Sequence, residues 1–413
     1  MEAPKTAKLT TRATPARFEK RRVTTANCPV FLARISLRNF RNFENEVIEL
    51  PQEGAALIGA NGQGKTNLLE AIYYLEIFRS FRGARDDQLV NFGAEYFRVE
   101  AHVACVDDGE GGEAVEVAAG YVRDGRRKKV TINGGEAARM AEGIGRIGAI
   151  IFTASDVEMV AGGPGARRRF LDIALSLVEP SYLADLQRYR QILTQRNELL
   201  RERGDASSLA AWNDGLVAVG SRIMQARARW ISDARPRFSR HCEAISGGEE
   251  AAMEYAPSVS MINGEQADGS KPTREEWESA FREQLDRLRE RERRRGVTVV
   301  GPHRDDLRLG LLGRRDQLSL RAFGSAGQQR TAAIALRMVE AETWRESRGR
   351  RPIVMLDDVF AELDPQRATR MFEMLSSQEW GQVIVTSPKP DDYALMGGRL
   401  SEYRIERGRV NRI

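Results

Sequence analysis

The sequence predicts an α/β fold: a head built from both ends of the chain, an antiparallel β subdomain beside it, and an inserted helical lobe. Three observations predict this arrangement. An apolar run leads into a glycine-rich loop near residue 60, a second leads into an acidic pair near residue 357, and helical patterns lie between them. The predicted divisions of the 413 residues are a disordered basic extension at 1–30, the first half of the head at 31–179, the helical lobe at 180–296 and the second half of the head at 297–413.

The first residues are basic and lack apolar periodicity, which indicates a disordered extension. Residues 1–22 carry seven basic and two acidic side chains, so their charge of +5 equals the net charge of the whole chain. Because the remainder is formally neutral, a nucleic-acid surface on the folded part would have to come from segregated charge. The extension has two interpretations, a dispensable tail or an arm for targeting or DNA binding.

Alternating patterns on both sides of the glycine-rich loop predict the antiparallel β subdomain. Apolar and polar residues alternate over 31–38, and a returning strand is predicted at 47–50. The alternation recurs over 96–132, where it is interrupted by glycine-rich turns. We expect these strands to form a sheet beside the one that carries the loop.

The glycine-rich loop fits G-x-x-x-x-G-K-S/T, the pattern of a phosphate-binding loop between a strand and a helix. Its residues are Gly59, Ala60, Asn61, Gly62, Gln63, Gly64, Lys65 and Thr66. Glycines let successive N–H groups turn toward phosphate oxygens, and the helix that follows directs its positive end at the same anion. We predict that this loop binds ATP, with Lys65 on the β- and γ-phosphates and Thr66 on Mg²⁺. The alternative is an ordinary glycine-rich turn, which the order strand, loop and helix disfavours.

Apolar residues at helical spacing predict the inserted lobe. They recur over 183–200, 212–229 and 274–295, among many arginines. These stretches are too short and broken for a long coiled coil, which needs several sustained heptads.

The second apolar run, Ile353 to Leu356, predicts a strand of a parallel sheet that ends at an acidic pair. Asp357 is predicted to hold Mg²⁺, and Asp358 to orient or polarise the water that attacks the γ-phosphate. Asp358 and Lys65 are therefore the predicted catalytic residues. The alternative is a surface acid pair, which the phosphate loop elsewhere in the chain disfavours.

The segment Ser325-Ala326-Gly327-Gln328-Gln329 and the acidic strand after it resemble the signature loop and Walker B strand of ABC-type ATPases. In that superfamily the signature loop faces the γ-phosphate bound by a second molecule. The resemblance therefore implies that Ser325, Gly327 and Gln328 contact ATP across a homodimer. Asp364 belongs to a segment that resembles the D-loop, which lines the same seam. The alternative is a turn that only caps a helix.

Composition excludes several other classes. An apolar content of 41% and a charged content of 30% are typical of a soluble globular protein. No apolar run approaches the ~18 residues of a membrane span. Three cysteines and three histidines are widely spaced, which argues against a disulfide scaffold, a zinc site and a histidine metal cluster. We therefore expect a cytoplasmic protein.

Four segments, in order, resemble the RecF family of bacterial recombination mediators. They are 37–42, the phosphate loop 59–66, 162–172 and 301–306. The resemblance runs from Phe31 to Ile413 and implies an SMC-like ABC-type ATPase head without the long coiled coil. It also implies weak, DNA-stimulated ATP hydrolysis, ATP-dependent dimerisation, binding to double-stranded and gapped DNA, and RecR-type and RecO-type partners.

Three positions depart from the family pattern. Gly324 before Ser325 is expected to loosen the signature turn. Ala154-Ser155-Asp156 replaces a usual Pro-Glu-Asp, which leaves Asp156 as the candidate for an acid that faces water or metal. Thr386 or Ser387 stands where many ABC-type ATPases carry a histidine, and either hydroxyl could hydrogen-bond a γ-phosphate.

Basic clusters are the candidates for DNA contact, and solvated surface is the alternative for each of them. Their members are Arg79, Arg82 and Arg85; Arg123, Arg126, Arg127, Lys128 and Lys129; and Arg291, Arg293, Arg294 and Arg295. A second functional class also stays open, an ABC-type ATPase that serves a transporter or acts as a protein switch. The helical lobe and the segments 162–172 and 301–306 favour the DNA-binding ATPase.

Overall fold

The computed structural model describes residues 28–105, 114–203, 205–260, 271–312, 317–360, 363–375, 380–387 and 400–413. The predicted extension therefore lies almost wholly outside the described residues. The strands are β1 (Cys28–Phe40), β2 (Phe43–Glu49), β3 (Gly54–Ile58), β4 (Tyr96–Cys105), β5 (Ala114–Val122), β6 (Arg127–Ile132), β7 (Gly135–Glu136), β8 (Ala149–Thr153), β9 (Ala251–Ala256), β10 (Asp306–Leu312), β11 (Gln317–Ser319), β12 (Arg350–Arg351), β13 (Ile353–Asp357), β14 (Val383–Ser387), β15 (Ser401–Glu406) and β16 (Arg409–Arg412). The α-helices are α1 (Lys65–Ile77), α2 (Asp86–Leu89), α3 (Glu158–Ala161), α4 (Pro164–Val178), α5 (Pro180–Arg201), α6 (Ala206–Ser246), α7 (Arg274–Arg295), α8 (Leu320–Phe323), α9 (Ala326–Arg348) and α10 (Pro365–Leu375).

Two sheets form the head. The first has the order β16-β15-β3-β14-β13-β8, and its strands are parallel except at the β15–β16 hairpin. The second contains β12-β1-β4-β5-β6-β7, with β2 also paired to β1, and is antiparallel except where β12 runs parallel to β1. The order of the first sheet brings strands from both ends of the chain side by side. The antiparallel sheet beside it has the strands that the alternating patterns predict.

Helix α1 lies between these two sheets and contacts strands of both. It is buried on most of its faces, including Leu68, Leu69, Ile72 and Tyr74. A helix covered on both sides needs apolar residues all round rather than one stripe, which is what its sequence provides. The phosphate loop is thus joined to an element that cannot shift without disturbing both sheets.

A second core fills the helical part. Helices α4, α5, α6, α7 and α9 pack around it together with the three-stranded sheet β11-β10-β9. Helix α6 is a single helix of 41 residues that contains Pro236, whereas the sequence patterns predict helix only to residue 229. Its buried stripe continues beyond that point through Trp230, Ala234 and Phe238.

The packing crosses the predicted domain boundaries at 180 and 296, which stay predictions. Strand β9 comes from the predicted lobe and pairs with β10 from the second half of the head. Helix α9 contributes Met338 and Trp344 to the first core and Leu336 and Val339 to the second. One helix therefore couples the head to the helical part.

Two further features bear on the composition. Cys28 and Cys105, at the ends of the paired strands β1 and β4, are joined by a disulfide bond that the sequence analysis does not anticipate. Within the described ranges, no helix is long and apolar enough to cross a membrane.

Candidate nucleotide site and basic cleft

The parallel sheet brings the phosphate loop and the acidic pair to one edge. Strand β3 leads into the loop, β13 ends at Asp357, and β14 lies between them. The registers pair Asp357 with Thr386, and Ser387 with Ile58. Because the carboxyl ends of parallel strands meet at the same edge, residues some 290 positions apart in the sequence become neighbours.

The loop has the backbone conformation that its glycines allow. Gly62 and Gly64 have φ angles of 79° and 122°, which residues other than glycine rarely adopt. A Cβ at Gly64 would also lie 2.7 Å from the side-chain nitrogen of Asn42. Lys65 is 4% exposed, and its Nζ donates to the carbonyl oxygens of Gly59 at 2.7 Å and Ala60 at 3.3 Å. The ammonium group is therefore held over the loop itself.

Contacts from two other parts of the chain support the loop at Gln63, and sequence reasoning did not assign them. Asn42, in the turn between β1 and β2, donates to the carbonyl oxygen of Gln63 at 2.8 Å and accepts from Asn67 at 2.8 Å. The β15–β16 turn holds both oxygens of Gln63, through the backbone N–H groups of Arg407 at 2.7 Å and Gly408 at 3.1 Å. The only sequence signal was the family resemblance of segment 37–42.

Thr66, Asp357 and Asp358 form one cluster with Thr386. The Thr66 hydroxyl donates to Asp357 Oδ1 at 2.9 Å, and the Thr386 hydroxyl lies 3.1 Å from that oxygen and 3.2 Å from Asp358 Oδ1. The backbone N–H of Asp358 donates to Thr386 Oγ1 at 3.0 Å, and Asp358 has a φ of 51°. Thr386 thus lies between the two carboxylates.

The electrostatics of this cluster suit a divalent cation. Burial raises the pKa of the Asp357 carboxyl; the hydrogen bond from Thr66 opposes this rise, and the neighbouring charge of Asp358 adds to it. A hydroxyl and a partly buried carboxylate are hard oxygen donors of the kind that Mg²⁺ takes. The residues present therefore fit the predicted Mg²⁺ site, and their individual roles stay predictions.

The predicted signature residues form a second cluster. Ser325 caps α9: its hydroxyl accepts from Gln328 N at 3.2 Å, and the Gln328 side chain accepts from Ser325 N at 2.9 Å. Arg367 packs directly on Gly327, so that a Cβ at Gly327 would lie 2.0 Å from Nη1 of Arg367. Arg367 also pairs with Asp364 at 3.6 Å. The structure thus brings Ser325, Gly327, Gln328 and Asp364 together, and the capping alternative correctly describes the local turn.

Two of the departures from the family pattern have structural explanations that differ from the expectation. Gly324 does not loosen the turn: its N–H donates to the Leu320 carbonyl at 3.0 Å, and a Cβ there would lie 2.5 Å from that oxygen. Asp156 does not face a metal or water site, since its carboxylate pairs with Arg337 at 2.6 Å and accepts from Thr153 N at 2.8 Å. Both residues hold the fold together locally.

The basic cluster at 123–129 is only partly available for DNA. Lys128 lies with its ammonium 4.5 Å from the Tyr74 ring centre, pairs with Asp86 at 3.2 Å and donates to the Phe78 carbonyl. Burial lowers its pKa, and the charge of Asp86 opposes that shift. Arg126, in the turn before β6, and Arg127, the first residue of β6, are exposed. The expectation that Lys128 is a surface cation is therefore wrong, because its ammonium group is held by Asp86, Tyr74 and the Phe78 carbonyl.

A cleft of about 820 Å³ lies between the head and the helical part. Its lining includes many apolar residues and carries arginines from the loop after α1 and from α4 and α5: Arg79, Arg85, Arg168, Arg169 and Arg190. Of the acids in its lining, Asp86 pairs with Lys128, and Asp172 pairs both with Arg227 and with Arg190, so the arginines still outnumber the acids. Burial lowers the pKa of His303, at one wall, to about 4, so this ring is neutral at pH 7. The cleft therefore carries an excess of positive charge.

The family segment 301–306 stabilises one side of this cleft. Asp305 is buried and pairs with Arg227 at 3.2 Å, while Asp306 pairs with Arg167 at 2.7 Å. Each aspartate joins the segment to a different helix, α6 or α4. These residues therefore stabilise the packing of the segment against the two helices. This structural role explains why the segment resembles the family although no chemical role was predicted for it.

Comparisons with known proteins agree with this architecture. The family model described as RecF/RecN/SMC N terminal domain matches residues 31–409. The DNA replication and repair protein RecF of Synechococcus sp. (strain JA-3-3Ab) is 38% identical over 364 residues, which are 87% of this chain and 91% of the relative. The solved structure of the recombination mediator protein RecF-ATP in the RecFOR pathway has a TM-score of 0.81 at 28% identity, and covers 93% of this chain and 98% of that one.

A more distant similarity concerns the fold alone. The Smc head domain of Pyrococcus furiosus has a TM-score of 0.53 at 16% identity, and covers 93% of this chain and 96% of that one. Together these similarities confirm the predicted fold class, an SMC-like ABC-type ATPase head with an antiparallel β subdomain and a helical lobe.

Proposed function

This chain belongs to the RecF family of SMC-like ABC-type ATPases, and we propose that it is an ATP-dependent DNA-binding protein of DNA replication and recombinational repair. The observation that carries the proposal is the Thr66–Asp357 contact of 2.9 Å. It joins the phosphate loop of one end of the chain to the acidic strand of the other, as ATP and Mg²⁺ binding at this edge requires. The RecF relatives, whose names state replication, repair and recombination mediation, supply the process.

The proposed chemistry is a weak, DNA-stimulated hydrolysis of ATP to ADP and phosphate. Residues 59–66 would hold the phosphates, with Lys65 as the cation on the β- and γ-phosphates. Thr66 and Asp357 would hold Mg²⁺, which neutralises phosphate charge when bound. Asp358 would orient the attacking water, because it follows Asp357 at the end of β13 and its carboxylate is steadied by Thr386.

Dimerisation would complete this site with the second cluster of another molecule. Ser325 and Asp364 are bonded within their own cluster, through Gln328 and Arg367, and the Gln328 side chain also donates to Glu249 at 2.9 Å. Phe323, which comes just before that cluster, is 71% exposed. Aromatic residues are enriched at protein–protein interfaces. We therefore propose that ATP binding closes two copies on each other and that hydrolysis reopens them.

Replacing Ser325 by arginine should abolish ATP-driven dimerisation and leave ATP binding by the monomer intact. The new side chain places charge and bulk at the proposed seam, whereas the phosphate loop is part of the other cluster. Ser325→Ala is the matched control, because it loses the same helix cap, at a cost of about 1 kcal/mol, without adding bulk. Sedimentation velocity with and without ATP measures the effect.

Mixing two variants tests whether the two clusters of one site come from different molecules. Ser325→Arg protein mixed with Lys65→Ala protein should form at most one complete site per dimer. Unchanged ATP-driven dimers of Ser325→Arg would show that these residues are only a helix cap. Loss of dimers in Ser325→Ala as well would assign the effect to helix stability.

The basic cleft is the proposed DNA surface of each molecule. Its arginines belong to the loop after α1 and to α4 and α5, so it lies between the nucleotide-binding half and the helical part. Closing two copies would bring two such surfaces over one duplex or gap junction. Contacts of arginine with phosphates are independent of base sequence and weaken as salt rises. We further propose a cytoplasmic location and RecR-type and RecO-type partners.

Removing three cleft charges should weaken DNA binding for any sequence. We expect Arg79→Ala, Arg85→Ala and Arg169→Ala together to flatten the salt dependence by up to about 3 in logarithmic slope. The matched control removes three charges from the β5–β6 turn and β6 instead: Arg126→Ala, Arg127→Ala and Lys129→Ala. Gel shifts with duplex, gapped and single-stranded DNA, with and without ATP, compare the two variants. Equal losses in both would contradict the assignment to the cleft, and no ATP-dependent DNA binding by the unaltered protein would contradict the proposed function.

A further inference from the structure

Three side chains on the outer face of the antiparallel sheet converge on one point. Glu100 and His102 lie two residues apart on β4 and therefore point to the same face. Glu116, on β5, is the register partner of His102. One ligand atom of each residue lies within 4.8 Å of the others, and all three residues are partly buried. The wide spacing of the histidines predicts no histidine metal cluster, but strand pairing brings two carboxylates beside a single histidine.

The orientation of Glu100 prepares this cluster for a cation. Arg98 donates to Oε2 of Glu100 at 2.8 Å, which leaves Oε1 directed at His102 Nε2, 3.4 Å away. A partner that fixes one oxygen of a carboxylate and leaves the other free is the usual outer support of a metal ligand. Both glutamates lie next to the imidazole, and the arginine balances part of their charge until a cation binds.

The other two histidines of the chain have structural partners. His241 is buried and lies 3.0 Å from the Glu342 carboxylate. His303 lies between the Tyr189 hydroxyl at 2.8 Å and the Thr298 carbonyl at 3.1 Å. His102 keeps 41% of its side chain exposed and, among the described residues, has its polar contact with Glu100. It is therefore the imidazole that a cation from solvent can reach.

We propose that Glu100, His102 and Glu116 bind a divalent transition-metal ion of the zinc class. One imidazole and two carboxylates supply three ligands, and solvent supplies the fourth of a tetrahedral site. An imidazole ligand disfavours Mg²⁺ and Ca²⁺, which take oxygen ligands, so the site differs in chemistry from the one at Thr66 and Asp357. The bound ion would join β4 to β5 and hold that hairpin together. This inference does not depend on the proposed function.

Titration with Zn²⁺ against a chromophoric chelator tests the site, using the full chain without nucleotide and without thiol reductant. We expect one ion per chain, an affinity reduced at least about tenfold in His102→Ala and Glu116→Gln, and no effect of millimolar Mg²⁺. Glu136→Gln is the matched control, because it removes one exposed carboxylate from the same sheet outside the cluster. Zn²⁺ should also raise the thermal unfolding midpoint of the unaltered protein and of Glu136→Gln, and leave that of His102→Ala unchanged.

Two outcomes would overturn the proposal. One is Zn²⁺ binding by His102→Ala with the affinity of the unaltered protein. The other is binding that His102→Ala retains and that Asp357→Asn loses, which would assign the ion to the nucleotide site. Because His102 is partly exposed, its replacement should leave the metal-free unfolding midpoint unchanged, so a failure to fold does not obscure the result.

Discussion

The Lys65→Ala protein should bind ATP weakly and lose hydrolysis, by a factor on the order of 100 or more. The reason lies in the position of Lys65, which is 4% exposed and whose ammonium group is hydrogen-bonded to the carbonyls of Gly59 and Ala60. A cation held at the loop can compensate phosphate charge without first being ordered. Binding of a fluorescent ATP analogue and phosphate release measure the two effects separately.

Two variants separate this electrostatic role from a structural one. Removing the Lys65 side chain deletes a hydrogen bond to Gly59, which costs about 1 kcal/mol of stability, so thermal unfolding is measured alongside. Lys65→Arg keeps the charge and changes its shape, and we expect it to retain part of the ATP binding and little of the hydrolysis. Lys129→Ala removes an exposed lysine from the β subdomain and should change neither. Hydrolysis by Lys65→Ala at the rate of the unaltered protein would contradict the site.

The parts of the site that sequence could predict are those whose signal is local. The phosphate loop carries its own backbone demands in Gly62 and Gly64, and the acidic pair follows directly on an apolar strand. Their juxtaposition also follows from sequence, since the carboxyl ends of parallel strands share an edge. The two halves of the site could therefore be paired before any coordinates were known.

The parts that sequence could not predict depend on register and packing between distant segments. Apart from the family resemblance of segment 37–42, nothing near Asn42 indicates that it supports Gln63, and the convergence of Glu100, His102 and Glu116 depends on how β4 pairs with β5. Lys128 looks like a surface cation because its partner, Asp86, is 42 residues away. Charge patterns predict where cations are in the sequence, and burial then decides which of them a ligand can reach.

The length of α6 was missed for a physical reason. The helical spacing is predicted only to residue 229, and Pro236, which follows it, lacks an N–H group and is a residue type that usually ends or kinks a helix. The helix nevertheless continues to Ser246, because apolar residues recur every four positions and stay buried: Trp230, Ala234, Phe238 and Cys242. Tertiary burial along the stripe offsets the cost of one missing hydrogen bond.

Replacing each of the two adjacent carboxylates by its amide should affect different steps, Mg²⁺-dependent ATP binding for Asp357 and hydrolysis for Asp358. Asp357→Asn keeps the hydrogen bond from Thr66 but removes the charge that a divalent cation needs, so Mg²⁺-dependent ATP binding should fall at least about tenfold. Asp358→Asn leaves that carboxylate and the phosphate loop intact. Its ATP binding should be unchanged, while hydrolysis falls by a factor on the order of 100 to 10,000, as expected when a group that positions water is lost.

The second replacement also links chemistry to assembly. If hydrolysis is what reopens the proposed dimer, Asp358→Asn protein should accumulate as an ATP-bound dimer that survives dilution, whereas Asp357→Asn protein should remain monomeric. Asp124→Asn, an exposed aspartate in the β5–β6 turn, is the control and should behave as the unaltered protein does. Sedimentation after a brief exposure to ATP distinguishes the three.

Normal binding and normal hydrolysis in both variants would contradict the roles of the acidic pair. Full loss of ATP binding in Asp358→Asn would instead mean that both carboxylates hold the cation, since Thr386 bridges them within 3.2 Å.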